Sequence, residues 1–222
     1  IISEDGYPYE VEFVGARRES YHPESRKPDV APAGFEEDMM RRDFTINTLA
    51  LDLTGDNFGQ LIDVLGGVAD LNEGIIRTPL PPDQTFIDDP LRMMRAIRFA
   101  SQLQFKIHHD TWHSIKRTAG RIKIISQERI IDEINKIVLS PRPSVGFKLL
   151  FDCGLLHIIF PQMSALAGTE YIDGKGHKDN FYHTLEVLDN VSGKSYNLWL
   201  RWAAILHDIA KPVTKRFEPG NG

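Results

Sequence analysis

Cysteine is almost missing: Cys153 is the only one in 222 residues. A single thiol excludes an internal disulfide and fits a reducing cytoplasm. Long apolar runs are missing too. Nothing approaches the ~18–20 residues that a membrane helix needs, so no membrane partner is expected. The opening stretch IISEDGYPYEVEF is neither a signal peptide nor a transit peptide. It carries no initiating Met, which reads as a chain that begins inside a larger, cytoplasmic protein. An excess of positive charge is lacking as well: 26 Lys and Arg against 31 Asp and Glu give a net charge of −5. A nucleic-acid partner would therefore need a local basic patch, because the global field does not favour it. There is no internal repeat and no low-complexity tract.

What is present can build a core. Hydrophobic residues make up 41% of the chain and charged residues 26%, an ordinary globular balance. Residues 7–18 alternate apolar and polar around Val11 and Phe13, which predicts a strand with Glu12 and Phe13 on opposite faces. Residues 19–35 are proline-rich and polar and read as a loop. The next stretch, EEDMMRRDFTINTLALDL, has a helical pattern with acids in its early turns. FGQLIDVLGG reads as a strand and Gly-Gly turn, followed by a short helix, a strand and a Pro-rich connection. From residue 89 onward helices are expected at 89–104, 109–119, 126–139, 143–153, 155–159, 181–192 and 198–210, with a linker between residues 167 and 180. The expected order is mixed α/β, then all-α, then a second all-α unit.

The stretch DDPLRMMRAIRFASQLQF, residues 88–105, poses a question of chemistry. Asp89 can serve as N-cap and Pro90 fits the first helical position. Met93, Ile97 and Ala100 recur at core spacing. Arg92, Arg95 and Arg98 stand three residues apart, so each is displaced by about 60° around the helix and the three share one broad face. A solvated face with acid partners explains such a row in ordinary terms. A ligand rich in phosphate and base edges explains it too. Guanidinium forks match phosphate bidentately, and a carboxylate beside a fork can read a base edge. A second cluster lies in RRDFTINTLALD, residues 41–52. Asn47 falls one helical turn beyond Asp43, while Phe44, Ile46 and Leu49 suit a core face. The stretch reads either as a plain amphipathic helix or as a nucleotide-binding one, with Arg42 on a triphosphate and Asp43 and Asn47 on the sugar side.

EEDMMRRDFTINTLALD, LIDVLGGVADLNEGIIRTP and DDPLRMMRAIRFASQLQF, in this order and at this spacing, resemble the class II tRNA nucleotidyltransferases. This family comprises the CCA-adding enzymes and the related bacterial poly(A) polymerases. The resemblance runs over nearly all of the chain. It implies a partial α/β nucleotidyltransferase palm, then an all-α neck and body that bind nucleotide and RNA. The implied activity is template-independent addition of CMP and AMP to the tRNA 3′ end, from CTP and ATP with Mg2+. Poly(A) addition is the alternative. Carried over residue by residue, Asp89 and Arg92 match the positions that pair with the base edge. Arg95 and Arg98 match the arginines that contact or support the nucleotide. Arg42 matches a nucleotide-binding arginine, and Asp43 and Asn47 the sugar-side and structural positions. Glu12 matches the acidic residue of a palm strand, the catalytic position. Asp88 stands where the family usually has Glu, and Glu128 and Arg129 match residues that brace the neck. The family's Gly-rich phosphate turn and its metal-binding pair of aspartates are not in this sequence, so this stretch is expected to bind nucleotide weakly at best and not to catalyse transfer.

Near the end, HKDNFYHTLEVLDNV and LRWAAILHDIAKP place His177 and His183 ahead of the adjacent pair His207–Asp208. A lone histidine in an apolar segment is usually a satisfied core residue. This pair with its earlier histidines resembles the start of an HD domain, which implies that His183, His207 and Asp208 are ligands of an incomplete site for a divalent transition metal. A metal-dependent HD phosphohydrolase with a nucleotide-recognition half is thus a competing function. The expected division is head at 1–80, helical neck and body at 81–165, and HD start at 166–222. Lys116, Arg117, Arg121, Lys123, Arg142 and Lys148 read either as solvated helix faces or as a stripe along an RNA backbone.

Overall fold

A computed structural model of the chain describes residues 12–20, 28–168, 171–172, 175–176 and 179–214. Its first part is built from short pieces that support one another. β1 (Arg17–Ser20) and β2 (Asp29–Pro32) form an antiparallel hairpin, with Arg17 opposite Pro32. α1 (Phe35–Met40) follows, with Glu37 bonding back to the Gly34 N–H to hold its first turn. The chain then turns through a single 3-10 turn at Thr45–Asn47. β3 (Ala50–Leu51) pairs antiparallel with β4 (Leu61–Ile62). α2 (Gly67–Glu73) leads to β5 (Ile75–Ile76), and α3 (Pro82–Asp88) carries its proline at the first turn, where no N–H is needed.

Several expectations are corrected here. Of the strand expected at 7–18, residues 12–16 are not strand while Arg17 and Arg18 open β1, and Phe13 is 92% exposed. Among the described residues the Ala16 carbonyl accepts from the Ala33 N–H just past β2 (3.1 Å), but no strand pairs with residues 12–15, and a strand needs such a partner. The loop expected at 19–35 contains β2. The helix expected over residues 36–53 ends at Met40. The Thr45 N–H goes to the Arg77 carbonyl (2.9 Å) instead of to a helical partner, and the Thr45 hydroxyl donates to the buried Asp70 (2.6 Å), which also takes the Arg77 Nε. Gly67 shows how close the approach is: a Cβ there would lie 2.3 Å from the Thr45 carbonyl oxygen.

The rest is helical. α4 (Leu91–Leu103) begins after Pro90, and β6 (Lys106–Ile107) runs parallel to β5. α5 (His109–Thr118) is continued by a 3-10 segment at Ala119–Ile124, then come α6 (Gln127–Val138), α7 (Pro143–Asp152), α8 (Leu155–Ile159) and α9 (Pro161–Ser164). α10 (Asn180–Ser192) and α11 (Leu198–Leu206) are capped by Asp179 and Asn197, and α12 (Lys211–Thr214) is one turn. The helix expected at 198–210 thus ends at Leu206, leaving His207 and Asp208 in the turn beyond it.

α4 is the central helix. It packs on α6 and α7, and Met93, Met94, Ile97 and Ala100 are fully or almost fully buried. Ile130, Ile134 and Ile137 of α6 face it, and Gly146 lets α7 come close, since a Cβ there would lie 2.4 Å from Ile137 Cγ2. α10 and α11 join the same hydrophobic cluster through Phe181, Leu185, Leu188 and Ile205. Arg201 of α11 is 0% exposed and locks this junction. Its guanidinium donates to the carbonyls of Val138 (2.7 Å), Ser140 (3.0 Å), Ser192 (3.0 Å) and Ser195 (2.8 Å), at or just beyond the C-termini of α6 and α10. Four acceptors and the negative helix ends offset the burial of the charge. No described helix is long and apolar enough to cross a membrane.

Candidate functional site

A cavity of about 680 Å³ opens where β1, the turn after α1, the α3–α4 joint and α6 meet. Six arginines and three carboxylates line it: Arg17, Arg41, Arg42, Arg92, Arg95 and Arg129 with Glu19, Asp43 and Asp89. The excess of positive charge is local, as an anion-binding role in an acidic chain requires.

Each lining residue is held by a specific partner. Asp89 sits in extended conformation between α3 and α4 (φ −134°, ψ 99°). Its Oδ1 accepts from the Leu91 N–H (3.1 Å), and Arg129 of α6 approaches its Oδ2 at 3.6 Å. Asp89 therefore caps α4 from one residue before Pro90, and the expected bracing of this joint by Arg129 is present. Arg92, in the first turn, donates to the Arg41 carbonyl (2.8 Å). Arg95 pairs with Asp43 (2.7 Å), whose other oxygen accepts from the Asn47 amide (2.8 Å) and the Phe44 N–H (3.0 Å). Asp43 and Asn47 thus meet as expected, although a 3-10 turn and not a helix brings them together. Arg42 donates to the Asn47 carbonyl (3.3 Å) and to Asp38 (3.1 Å), and its side chain stays 42% exposed toward the cavity.

Arg98 does not line this cavity. It turns into the core, where its Nε donates to the buried Glu133 of α6 (2.6 Å), Nη1 donates to Gln102 (2.8 Å), and the guanidinium lies 3.9 Å from the Phe99 ring centre. Glu12 is exposed and does not reach the cavity either. Asp88 accepts from Gln84 (2.6 Å), and burial pushes its carboxyl above the usual range.

The carboxylates at the cavity are already used. Glu19 binds Arg17 and Arg41, Asp43 binds Arg95, and Asp89 faces Arg129. Among the described residues no pair of free carboxylates faces the cavity, so these residues do not fit a magnesium centre.

One residue beside the site escapes motif reading. Asp38 is 5% exposed, and Arg41 donates to it, to Glu19 and to the Arg17 carbonyl. Burial raises the Asp38 carboxyl, but hydrogen bonds from Arg41, the Arg17 N–H and Arg42 outweigh this and hold it below the usual range. An acid three and four residues before two arginines is the signal that sequence offers for such a cluster.

A second group brings the first turn of α10 against the turn beyond α11. One ligand atom each from His183, His207 and Asp208 falls within 4.8 Å of the others. His183 Nδ1 is buried with no hydrogen-bond partner. His207 Nδ1 faces the Ala204 carbonyl (2.7 Å), which leaves Nε2 toward Asp208 (3.2 Å). Two nitrogens and an oxygen are donors suited to a divalent transition metal, although Asp208 Oδ2 is also paired with Lys211 (2.6 Å), which a metal would have to displace. His177 lies outside the described residues. Of the basic residues, Arg117 pairs with Asp83 (2.8 Å), Arg121 donates to the Ile87 carbonyl (3.0 Å), and Lys116 lies over Trp112.

Comparison with known proteins now bears on this arrangement. Residues 2–77 match the family described as poly(A) polymerase head domain, and residues 104–166 match that described as the probable RNA- and SrmB-binding site of polymerase A. The multifunctional CCA protein of Vibrio parahaemolyticus is 37% identical over 83% of this chain and 45% of its own length. The protein of the same name from Nitrosomonas europaea is 35% identical over 81% of this chain and 43% of its own. Most of this chain is thus similar to part of the multifunctional CCA proteins, and two of its stretches match poly(A) polymerase families. Among solved structures, the CCA-adding enzyme of Bacillus stearothermophilus in complex with CTP superposes with a TM-score of 0.59 at 30% identity, covering 82% of this chain and 43% of that one. A tRNA nucleotidyltransferase complexed with a primer tRNA and an incoming ATP analogue gives 0.60 at 27% identity, covering 85% and 53%. The nucleotidyltransferase fold is thus that of the CCA-adding enzymes, mostly helical here, and the chain spans under half the length of the curated relatives it matches.

Proposed function

We propose that this chain is the nucleotide- and RNA-recognising part of an enzyme that adds CMP and AMP to the tRNA 3′ end without a nucleic-acid template. The observation that carries this reading is the arginine-lined cavity with Asp89 and Arg92 together at the α3–α4 joint. Cytosine and adenine both offer an exocyclic amine beside a ring-nitrogen acceptor. The Asp89 carboxylate would accept from the amine and the Arg92 guanidinium would donate to the ring nitrogen. Uracil and guanine present a carbonyl where the amine should be, and would face a carboxylate with nothing to donate. Arg129 holds Asp89 in place. Arg42 would meet the triphosphate, while Asp43 and Asn47 fix Arg95 and the sugar-side turn. Arg98 supports the helix that carries these groups. The division into head to residue 80, neck and body to 165, and HD start beyond belongs to this reading as functional parts. So does Mg2+ as the activating ion of the longer enzyme, which rests on the resemblance alone, and so does action in the cytoplasm.

Equilibrium binding of CTP, ATP, UTP and GTP tests the reading. CTP and ATP should bind at least tenfold tighter than UTP and GTP, and Arg92→Ala should erase that preference. Equal affinity for all four, or for none, would sink the base-reading assignment.

A second reading is favoured by the orphaned His183 Nδ1 beside His207 and Asp208. These residues would hold a divalent transition metal, which supplies a Lewis acid to phosphate-ester hydrolysis when bound. Titration with Mn2+ or Ni2+ should show one site that His207→Ala removes. Unchanged binding in that variant would count against an HD start here.

A further inference from the structure

We propose that Asp38 is the positioning residue that sets Arg42 for the triphosphate of the incoming nucleotide. The inference rests on the nucleotide-binding reading of the cavity and names a residue outside the groups assigned to it above.

The geometry is that of a hub. Asp38 ends the first turn of α1 and is 5% exposed. Its Oδ1 accepts from the Arg17 N–H (3.1 Å) and from Arg41 Nε (2.9 Å) and Nη2 (2.6 Å). Its Oδ2 accepts from Arg42 Nη2 (3.1 Å). The two arginines divide the work. Arg41 also donates to the Arg17 carbonyl (3.0 Å) and to Glu19 (3.0 Å), so every nitrogen of its fork is engaged inside the protein. Among the described residues Arg42 is bonded at its two terminal nitrogens, to Asp38 and to the Asn47 carbonyl, and it keeps a face toward the cavity. A long exposed arginine loses rotamer freedom when it binds phosphate, and a partner that fixes it beforehand removes that cost. The buried carboxylate supplies this partner, and Arg41 anchors the carboxylate in turn.

Asp38→Asn keeps the shape and removes the charge. The experiment measures CTP, ATP and CMP affinities of the 222-residue chain, of D38N, of Arg42→Ala and of the double variant. D38N should weaken CTP and ATP alike by about tenfold and leave CMP within about twofold, because CMP lacks the outer phosphates. In the R42A background the same change should cost almost nothing, since Asp38 acts through Arg42. If D38N does not fold, Asp38→Glu, with the charge displaced by one methylene, enters the same cycle. Wild-type triphosphate affinity in folded D38N would overturn the proposal. So would a loss that persists undiminished without Arg42, or one that is equal for CMP. If the unsubstituted chain bound no nucleoside triphosphate, the nucleotide-binding reading itself would fall.

Discussion

Arg98 and Arg92 stand on the same helix and should fail in opposite ways. Arg98 is 9% exposed and bonded to Glu133, which is 3% exposed. Replacing Arg98 with Met strands that carboxylate in the core, a loss that typically costs about 3–5 kcal/mol. Lys136 still reaches Glu133 at 2.9 Å, but its side chain is 51% exposed, so it compensates only in part. The lost stacking on Phe99 adds roughly 0.5–1 kcal/mol. The net expectation is a loss of about 2–4 kcal/mol, or roughly 5–15 °C in the unfolding midpoint of a chain this size. The double variant Arg98→Met, Glu133→Leu removes both charges and should return to within about 1 kcal/mol of the parent. CTP affinity should stay within about twofold throughout. Arg92→Met breaks a bond to the Arg41 carbonyl at the cavity wall and removes a cation near Asp88. It should cost about 1 kcal/mol or less in stability, and reduce CTP affinity at least tenfold. Urea unfolding and CTP titration on the same preparations decide the matter. If Arg98→Met left stability intact and weakened CTP as Arg92→Met does, the division of roles argued here would be wrong.

Arg201→Met should also destabilise. Three of its four carbonyl acceptors belong to buried residues, each worth roughly 1–3 kcal/mol when left unpaired, and release of a buried cation offsets part of this. A net loss of about 2–4 kcal/mol in urea unfolding is expected, and a variant as stable as the parent would refute the clamp. Cys153 is 5% exposed, and burial pushes its thiol up to about 11. A thiol reagent at pH 8 should label it only after unfolding, and rapid labelling of the native chain would contradict its burial. The lowered Asp38 carboxyl contributes stability that is fully present above the unfolded-state value near ~3.9 and is lost as pH falls through the folded value. The stability gap between the parent and Asp38→Asn should therefore be constant from pH 5 to 7 and narrow below about pH 4. A gap that widened on acidification would refute this sign.

The helices of the second half were legible because each carries its own period. Ile130, Ile134 and Ile137 mark the buried face of α6 without reference to anything distant. The first part was not legible in this way. Thr45 finds its partners at Asp70 and Arg77, 25 and 32 residues away, and no local pattern reveals that its N–H leaves the helix for another segment. The candidate site was legible in its residues and only partly in its geometry. Arg92, Arg95 and Arg98 look alike as a row, yet two steps of about 60° carry Arg98 to the side facing α6, where Glu133 waits. Asp38 lay one turn before Arg41 and Arg42, but spacing alone does not show that it is buried.

The central claim is tested most directly by giving the full-length protein a tRNA that ends before CCA, with Mg2+, and with CTP and ATP supplied separately and together. The account predicts two C additions that stop, followed by a single A once ATP is present. A long A tail from ATP alone, or no incorporation by folded protein, would contradict it.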